Sequence, residues 1–114
     1  MRFRFEVPGP PVAWQRAGVG HGRHFTPPKT RAYEQKVKLC AYTAGVKKLA
    51  GPVVLTLTLY VADKRRRDCD NYQKAIQDAL NGVAWEDDSQ IAEWHGSISL
   101  DRANPRVVVQ VEGA

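Results

Sequence analysis

Phe3, Phe5 and Val7 alternate with Arg2, Arg4 and Glu6 along RFRFEV, the twofold period of a strand with one covered face. The same period returns in PVVLTLTLYVA. There Val53, Leu55, Leu57, Leu59 and Val61 share one face and Val54, Thr56, Thr58 and Tyr60 the other, so both faces are expected to be at least partly covered. Between these strands Tyr33, Val37, Cys40, Ala41 and Ala44 recur at helical spacing; Thr30 is placed to cap, and Gly51-Pro52 to end the helix. A second amphipathic helix is predicted from residue 71 to about 82, because Tyr72, Ala75, Ile76, Ala79, Leu80 and Val83 repeat at i, i+3, i+4, i+7 before Asn81-Gly82. QIAEWHGSISL and RVVVQVE read as two strands joined by a turn in DRANP. The predicted order is β-α-β-α-β-β. It implies an α+β fold, with two helices packed on one small mixed sheet of about four strands.

The stretch from Pro8 to Pro28 fits neither period. It holds Gly9, Gly18, Gly20, Gly22, five prolines, Arg16, His21, Arg23 and His24, and reads as a long, mobile, basic loop. The rest of the 114 residues form a single expected domain, with enough Val, Leu and Ile for one core. No run of eighteen apolar residues occurs, and MRFRFEVPGP lacks the uninterrupted apolar stretch of a signal peptide. A cytoplasmic location without membrane association is the expectation. Cys40 and Cys69 make neither a disulfide framework nor a zinc-ligand pattern.

Charge divides the chain. Residues 1–50 carry ten Lys and Arg against two Glu, a net of +8, whereas residues 51–114 carry seven against ten acids, a net of −3. A basic surface beside a carboxylate cluster suits a polyanion gripped in one place and attacked with a cation in another. The segment DKRRRDCDNYQK, residues 63–74, concentrates both signs where the central strand gives way to the second helix. A salt-bridged surface turn would account for the charge run alone.

Asp68 and Asp70 fall at that strand-to-helix junction, where unpaired amides and partial positive charge favour anions. One such carboxylate is an ordinary N-cap; two ask for more. A second pair, Asp87-Asp88, precedes the next strand. If both junctions lie at one end of the sheet, three or four carboxylates converge. At about 5 Å and an effective dielectric near 20, each like-charge pair costs on the order of 3 kcal/mol. Magnesium would offset that repulsion, being a hard ion held by a few carboxylates and several waters. Lys74, one turn beyond Asp70, reaches the same region.

Other motifs fail by position. A calcium loop starting at Asp68 would need a ligand at Tyr72, glycine at Gln73 and glutamate at Ala79. No Walker glycine loop or G-x-S-x-G elbow occurs, and the three histidines suggest no triad. His95 is expected on a strand, packed or exposed. Trp85 and Trp94 are expected at strand-like positions, as core or dimer-surface residues.

DKRRRDCDNYQKAIQDALNGVAWEDDSQI closely resembles the signature region of the RusA family of Holliday-junction resolvases, small endodeoxyribonucleases of phages and prophages. The basic run, D-x-D-N, the following lysine, D-A-L-N-G and D-D-S-Q-I agree in order and spacing over residues 63–91. RAGVGHGRHFTPPKTRAYEQ resembles the family's Gly- and Arg-rich loop and first helix more loosely. The resemblance implies a homodimer, magnesium-dependent cleavage and four-way DNA junctions as substrate. Carried over by position, Asp68, Asp70 and Asp88 would be the essential metal-binding carboxylates, Asp87 a supporting one and Lys74 a catalytic lysine. Lys64, Arg65, Arg66 and Arg67 would contact phosphates, with Arg16, Arg23, Lys29 and Arg31 as further DNA-binding candidates. Two alternatives stay open: a less selective metal-dependent nuclease on branched DNA, and a non-catalytic DNA-binding protein with a structural acidic cluster.

Overall fold

A computed structural model describes residues 1–14, 18–20, 23–25 and 28–114, with side chains outside 18–20 and 23–25. Its elements are β1 (Arg2–Pro8), β2 (Gly18–Gly20), β3 (Arg23–Phe25), α1 (Pro28–Thr43), β4 (Val53–Val61), α2 (Cys69–Leu80), a 3₁₀ turn (Asp88–Gln90), β5 (Ile91–Leu100) and β6 (Arg106–Gly113). The four long strands form one mixed sheet in the order β1-β6-β4-β5.

β4 is the centre of the molecule. Its odd-numbered residues are buried and its even-numbered ones half-buried, as the alternation predicts. Phe5 and Val7 of β1 and Val107, Val109 and Val111 of β6 lie on the same side as Leu55, Leu57 and Leu59. Tyr33, Val37 and Ala41 of α1 and Tyr72, Ile76, Ala79 and Leu80 of α2 close the core over them. The opposite face carries Arg4, Glu6, Arg106, Gln110, Thr56, Thr58 and Tyr60, with the Arg106 guanidinium 3.9 Å from the centre of the Tyr60 ring.

Three local expectations change. β5 and β6 are joined through the predicted DRANP turn but are not neighbours: β6 inserts antiparallel between β1 and β4, while β5 pairs parallel with β4 on its other side. Parallel pairing needs a crossover, and α2 with residues 81–90 supplies it. α1 begins at Pro28, whose missing amide hydrogen costs nothing in a first turn, and so places Thr30 inside the helix and buried. It ends well before Gly51, because Gly45 at φ 79° lets the Gly45 amide reach the Tyr42 carbonyl and the Val46 amide reach that of Ala41. The segment expected as one long loop carries the antiparallel pair β2–β3.

Trp85 is not on a strand. It lies in the connection after α2, fully buried, its Nε1 donating to Asn81 Oδ1 at 2.6 Å. Among the described residues no helix is long and apolar enough to cross a membrane.

Candidate active site

Asp68 leaves the extended loop after β4 with φ −100° and ψ 108° and caps α2, its Oδ1 accepting from the Asp70 amide at 3.1 Å. Asp70 is in the first helical turn, and both carboxylates are on exposed residues. The sequence dictates this arrangement: aspartate is a favoured cap, and the helix N-terminus stabilises a second carboxylate one residue inside it. Beside them Arg66, Arg67, Asp68 and Cys69 line an open cleft of about 520 Å³. Burial, then the charges of Asp70 and Asp68, push the Cys69 thiol above its ordinary value, so it stays a protonated neighbour.

The basic run divides by use. Lys64, Arg65 and Arg66 are exposed, but the Arg67 side chain is only 8% exposed. Its guanidinium donates to Asp63 Oδ1 at 2.9 Å and to the carbonyls of Asp63 and Arg65 at 3.0 and 3.1 Å. Arg67, expected as a phosphate contact, fastens the loop that carries its three neighbours. Lys29 and Arg31 are exposed at the start of α1, and Arg23 is in β3. Arg16 lies outside the described residues.

Lys74 points along the exposed side of α2, with Nζ 3.8 Å from Asp78 Oδ2 and 5.0 Å from the centre of the Trp14 ring. Burial raises the Asp78 carboxyl, nearby Lys74 lowers it and Asp88 raises it, with the upward effects prevailing. Trp14 itself is tied to the helix by its amide, which donates to the Asn71 carbonyl at 2.9 Å. Sequence reading missed Trp14 and Asp78; the i, i+4 spacing of Lys74 and Asp78 was a usable signal, whereas nothing local announced Trp14.

The expected convergence of carboxylates does not occur within one chain. β4 and β5 run parallel, with Val53 beside Ile91 and Val61 beside Leu100. Asp68 therefore follows one end of the sheet and Asp88 precedes the other. Asp88 Oδ2 instead accepts from Gln77 Nε2 at 2.7 Å, and Gln77 is also bonded to Gln73. Gln77 is seven residues beyond Asp70, about 10 Å along the helix axis at 1.5 Å per residue. Among the described residues no three His, Cys, Asp or Glu side chains are grouped closely enough to hold a metal ion. Asp68 and Asp70 alone remain a fitting pair of hard oxygen donors for magnesium, which commonly takes one or two carboxylates together with water and substrate phosphate.

Asp87, the expected supporting ligand, caps the 3₁₀ turn: its carboxylate accepts from the Ser89 amide at 3.1 Å, while Gln90 Oε1 accepts from the Asp87 amide at 3.2 Å. The hydrogen bonds from Ser89 hold its carboxyl below the ordinary aspartate range. Asp87→Ala is expected to lower the thermal unfolding midpoint, because the turn loses its cap; an unchanged midpoint in a melting curve would show that the cap adds nothing.

A family model described as Endodeoxyribonuclease RusA matches residues 8–112. The chain belongs to the RusA endodeoxyribonuclease family. The crossover junction endodeoxyribonuclease RusA of Escherichia coli (strain K12) is 32% identical to it over 94 residues, 81% of this chain and 78% of that protein. Its counterpart from Enterobacteria phage 82 is 45% identical over 47 residues, 40% of this chain and 39% of that one. The uncharacterized protein YqaN of Bacillus subtilis (strain 168) is 28% identical over an alignment of 135 positions, covering 96% of this chain and 94% of YqaN. The matched residues include the capped acidic helix, β4, β5 and nearly all of β6.

Proposed function

We propose that the chain is a magnesium-dependent endodeoxyribonuclease that resolves four-way DNA junctions by paired nicks. The observation that carries this reading is the placement of Asp68 and Asp70 on one exposed helix N-terminus, after the exposed cations Lys64, Arg65 and Arg66 and the fastening Arg67, in a RusA-family chain.

Each residue then has a physical role. Lys64, Arg65 and Arg66 take backbone phosphates, held outward by the Arg67–Asp63 fastening. Asp68 and Asp70 would hold magnesium where the scissile phosphate arrives. When bound, the metal supplies Lewis-acid polarisation of the phosphoryl oxygen and lowers the pKa of water. Lys74 sits one turn from Asp70 and offsets negative charge growing on the phosphoryl oxygens, its ammonium positioned by Asp78 and the Trp14 face. Two nicks in opposing strands require two equivalent sites, which a twofold dimer provides.

The direct test is cleavage of an end-labelled four-way junction in magnesium and after chelation. Cutting in magnesium alone is expected; cutting that survives chelation contradicts the metal assignment. The cations give a second expectation. Arg65→Ala with Arg66→Ala should weaken binding to every DNA and flatten the log–log salt dependence by roughly 0.9 for each phosphate no longer neutralised. An unchanged slope in gel-shift titrations would remove both residues from the DNA surface.

A further inference from the structure

Among the described residues nothing pairs with the outer side of β1. Which of its backbone groups are unused follows from register. The Gly113 amide donates to the Met1 carbonyl and the Gly9 amide to the Pro105 carbonyl, both in line with the β1–β6 pairing. An antiparallel ladder exchanges its bonds at every second residue, so Phe3, Phe5 and Val7 bond to β6, and the amides and carbonyls of Arg2, Arg4 and Glu6 face outward. β6 agrees. The Ala114 amide donates to the Pro52 carbonyl, which turns the even-numbered residues of β6 to β4 and leaves the odd-numbered ones to β1.

Beside this edge an open groove of about 470 Å³ separates β1 from α1, lined from β1 by Phe5 and Pro8 and from α1 by Leu39, Cys40 and Thr43. Leu39 is 67% exposed there. The surrounding charge is positive. Arg2 and Arg4 make no ion pair among the described residues, whereas Glu6 is taken by Arg106 at 2.9 Å. Lys36 Nζ lies 2.9 Å from where a side chain on Gly9 would begin.

We propose that β1 takes an extended segment of another protein, alternating apolar and acidic residues, as a further antiparallel strand of the sheet. Nothing in this pairing depends on DNA cleavage.

Antiparallel addition is the better bonded of the two directions and uses the groups the edge offers. Residues of the added strand opposite Arg2, Arg4 and Glu6 bond to them and share their face. Those opposite Phe3, Phe5 and Val7 turn to the helix side, into the groove. Apolar side chains at these positions cover Phe5 and Leu39, and carboxylates at the alternate ones meet Arg2 and Arg4. Pro8 has no N–H and closes the row. The outward carbonyls favour a peptide backbone over a phosphate chain, to which they would present like charge.

The test uses a fluorescein-labelled peptide, GVTLEVEG, whose second to seventh residues face Val7 down to Arg2 in this register, beside GVLVTEEG, which keeps the composition and breaks the alternation. Fluorescence anisotropy should show saturable binding of the first peptide and much weaker binding of the second. Leu39→Glu should weaken binding about tenfold or more, the worth of one buried leucine. Arg4→Pro removes an outward amide and no bond to β6, and should weaken binding about fivefold or more with little change in melting temperature. Arg4→Glu reverses the charge and should do the same should the proline variant not fold. Absence of saturable binding, equal binding of both peptides, or variants that bind as wild type would each overturn the docking site. An Arg4→Glu protein that takes the peptide as wild type does, yet binds four-way junctions with a flatter salt dependence, would give the rim to DNA instead. Each result stands whether or not the wild type cuts DNA.

Discussion

Asp70→Asn is expected to lower the rate of junction cleavage by ~100-fold or more while leaving junction affinity unchanged or tighter. The size follows from the proposed magnesium, whose polarising effect would be worth several kcal/mol at the transition state, and each 1.36 kcal/mol is about tenfold in rate. Asparagine keeps the shape and the backbone amide that Asp68 Oδ1 accepts, so the capped turn should persist. Removing a negative charge that faces phosphate should not weaken binding. Single-turnover cleavage and gel-shift titration on one junction measure the two effects. Parallel loss of binding and cutting would make Asp70 a structural residue.

Trp85→Ala is expected to cost about 3–5 kcal/mol of folding stability. Trp85 is fully buried and the largest of the core side chains, and its Nε1 holds Asn81 at the end of α2. The Trp85 carbonyl also accepts from the Gly82 amide at 2.7 Å, so the residue organises the connection that leads to Asp88. Against a typical domain stability of about 5–15 kcal/mol, the loss would leave a marginal protein. Urea unfolding monitored by circular dichroism checks it; a loss below about 1 kcal/mol would show that the cavity collapses readily or that Trp85 is less tightly packed than the structure shows.

These expectations draw on features of unequal legibility. The alternation of Leu55, Leu57 and Leu59 and the i, i+3, i+4 spacing of Tyr72, Ala75, Ile76 and Ala79 reported their elements directly, because one buried face leaves a periodic trace. Strand order left no such trace. QIAEWHGSISL and RVVVQVE could equally have formed a hairpin, and only the pairing of Val53 with Ile91 and of Val53 with Gly113 shows β4 standing between them. That topology separates Asp88 from Asp70, so the acidic motif was readable as a set of residues but not as a constellation. Arg67 and Asp87 mark a second boundary. Each has the right charge at the right place, yet one closes a loop on Asp63 and the other caps a turn at Ser89, hydrogen bonds that composition does not distinguish from ligand contacts.

The central claim is selectivity for a branched substrate with two matched cuts. It is tested most directly by offering wild type an end-labelled four-way junction and a linear duplex carrying the same arm sequences, in magnesium, and mapping every nick. Nicks at symmetric positions in opposing strands of the junction, with the duplex intact, are the predicted result. Comparable cutting of the duplex would contradict it and leave a metal-dependent nuclease without junction selectivity.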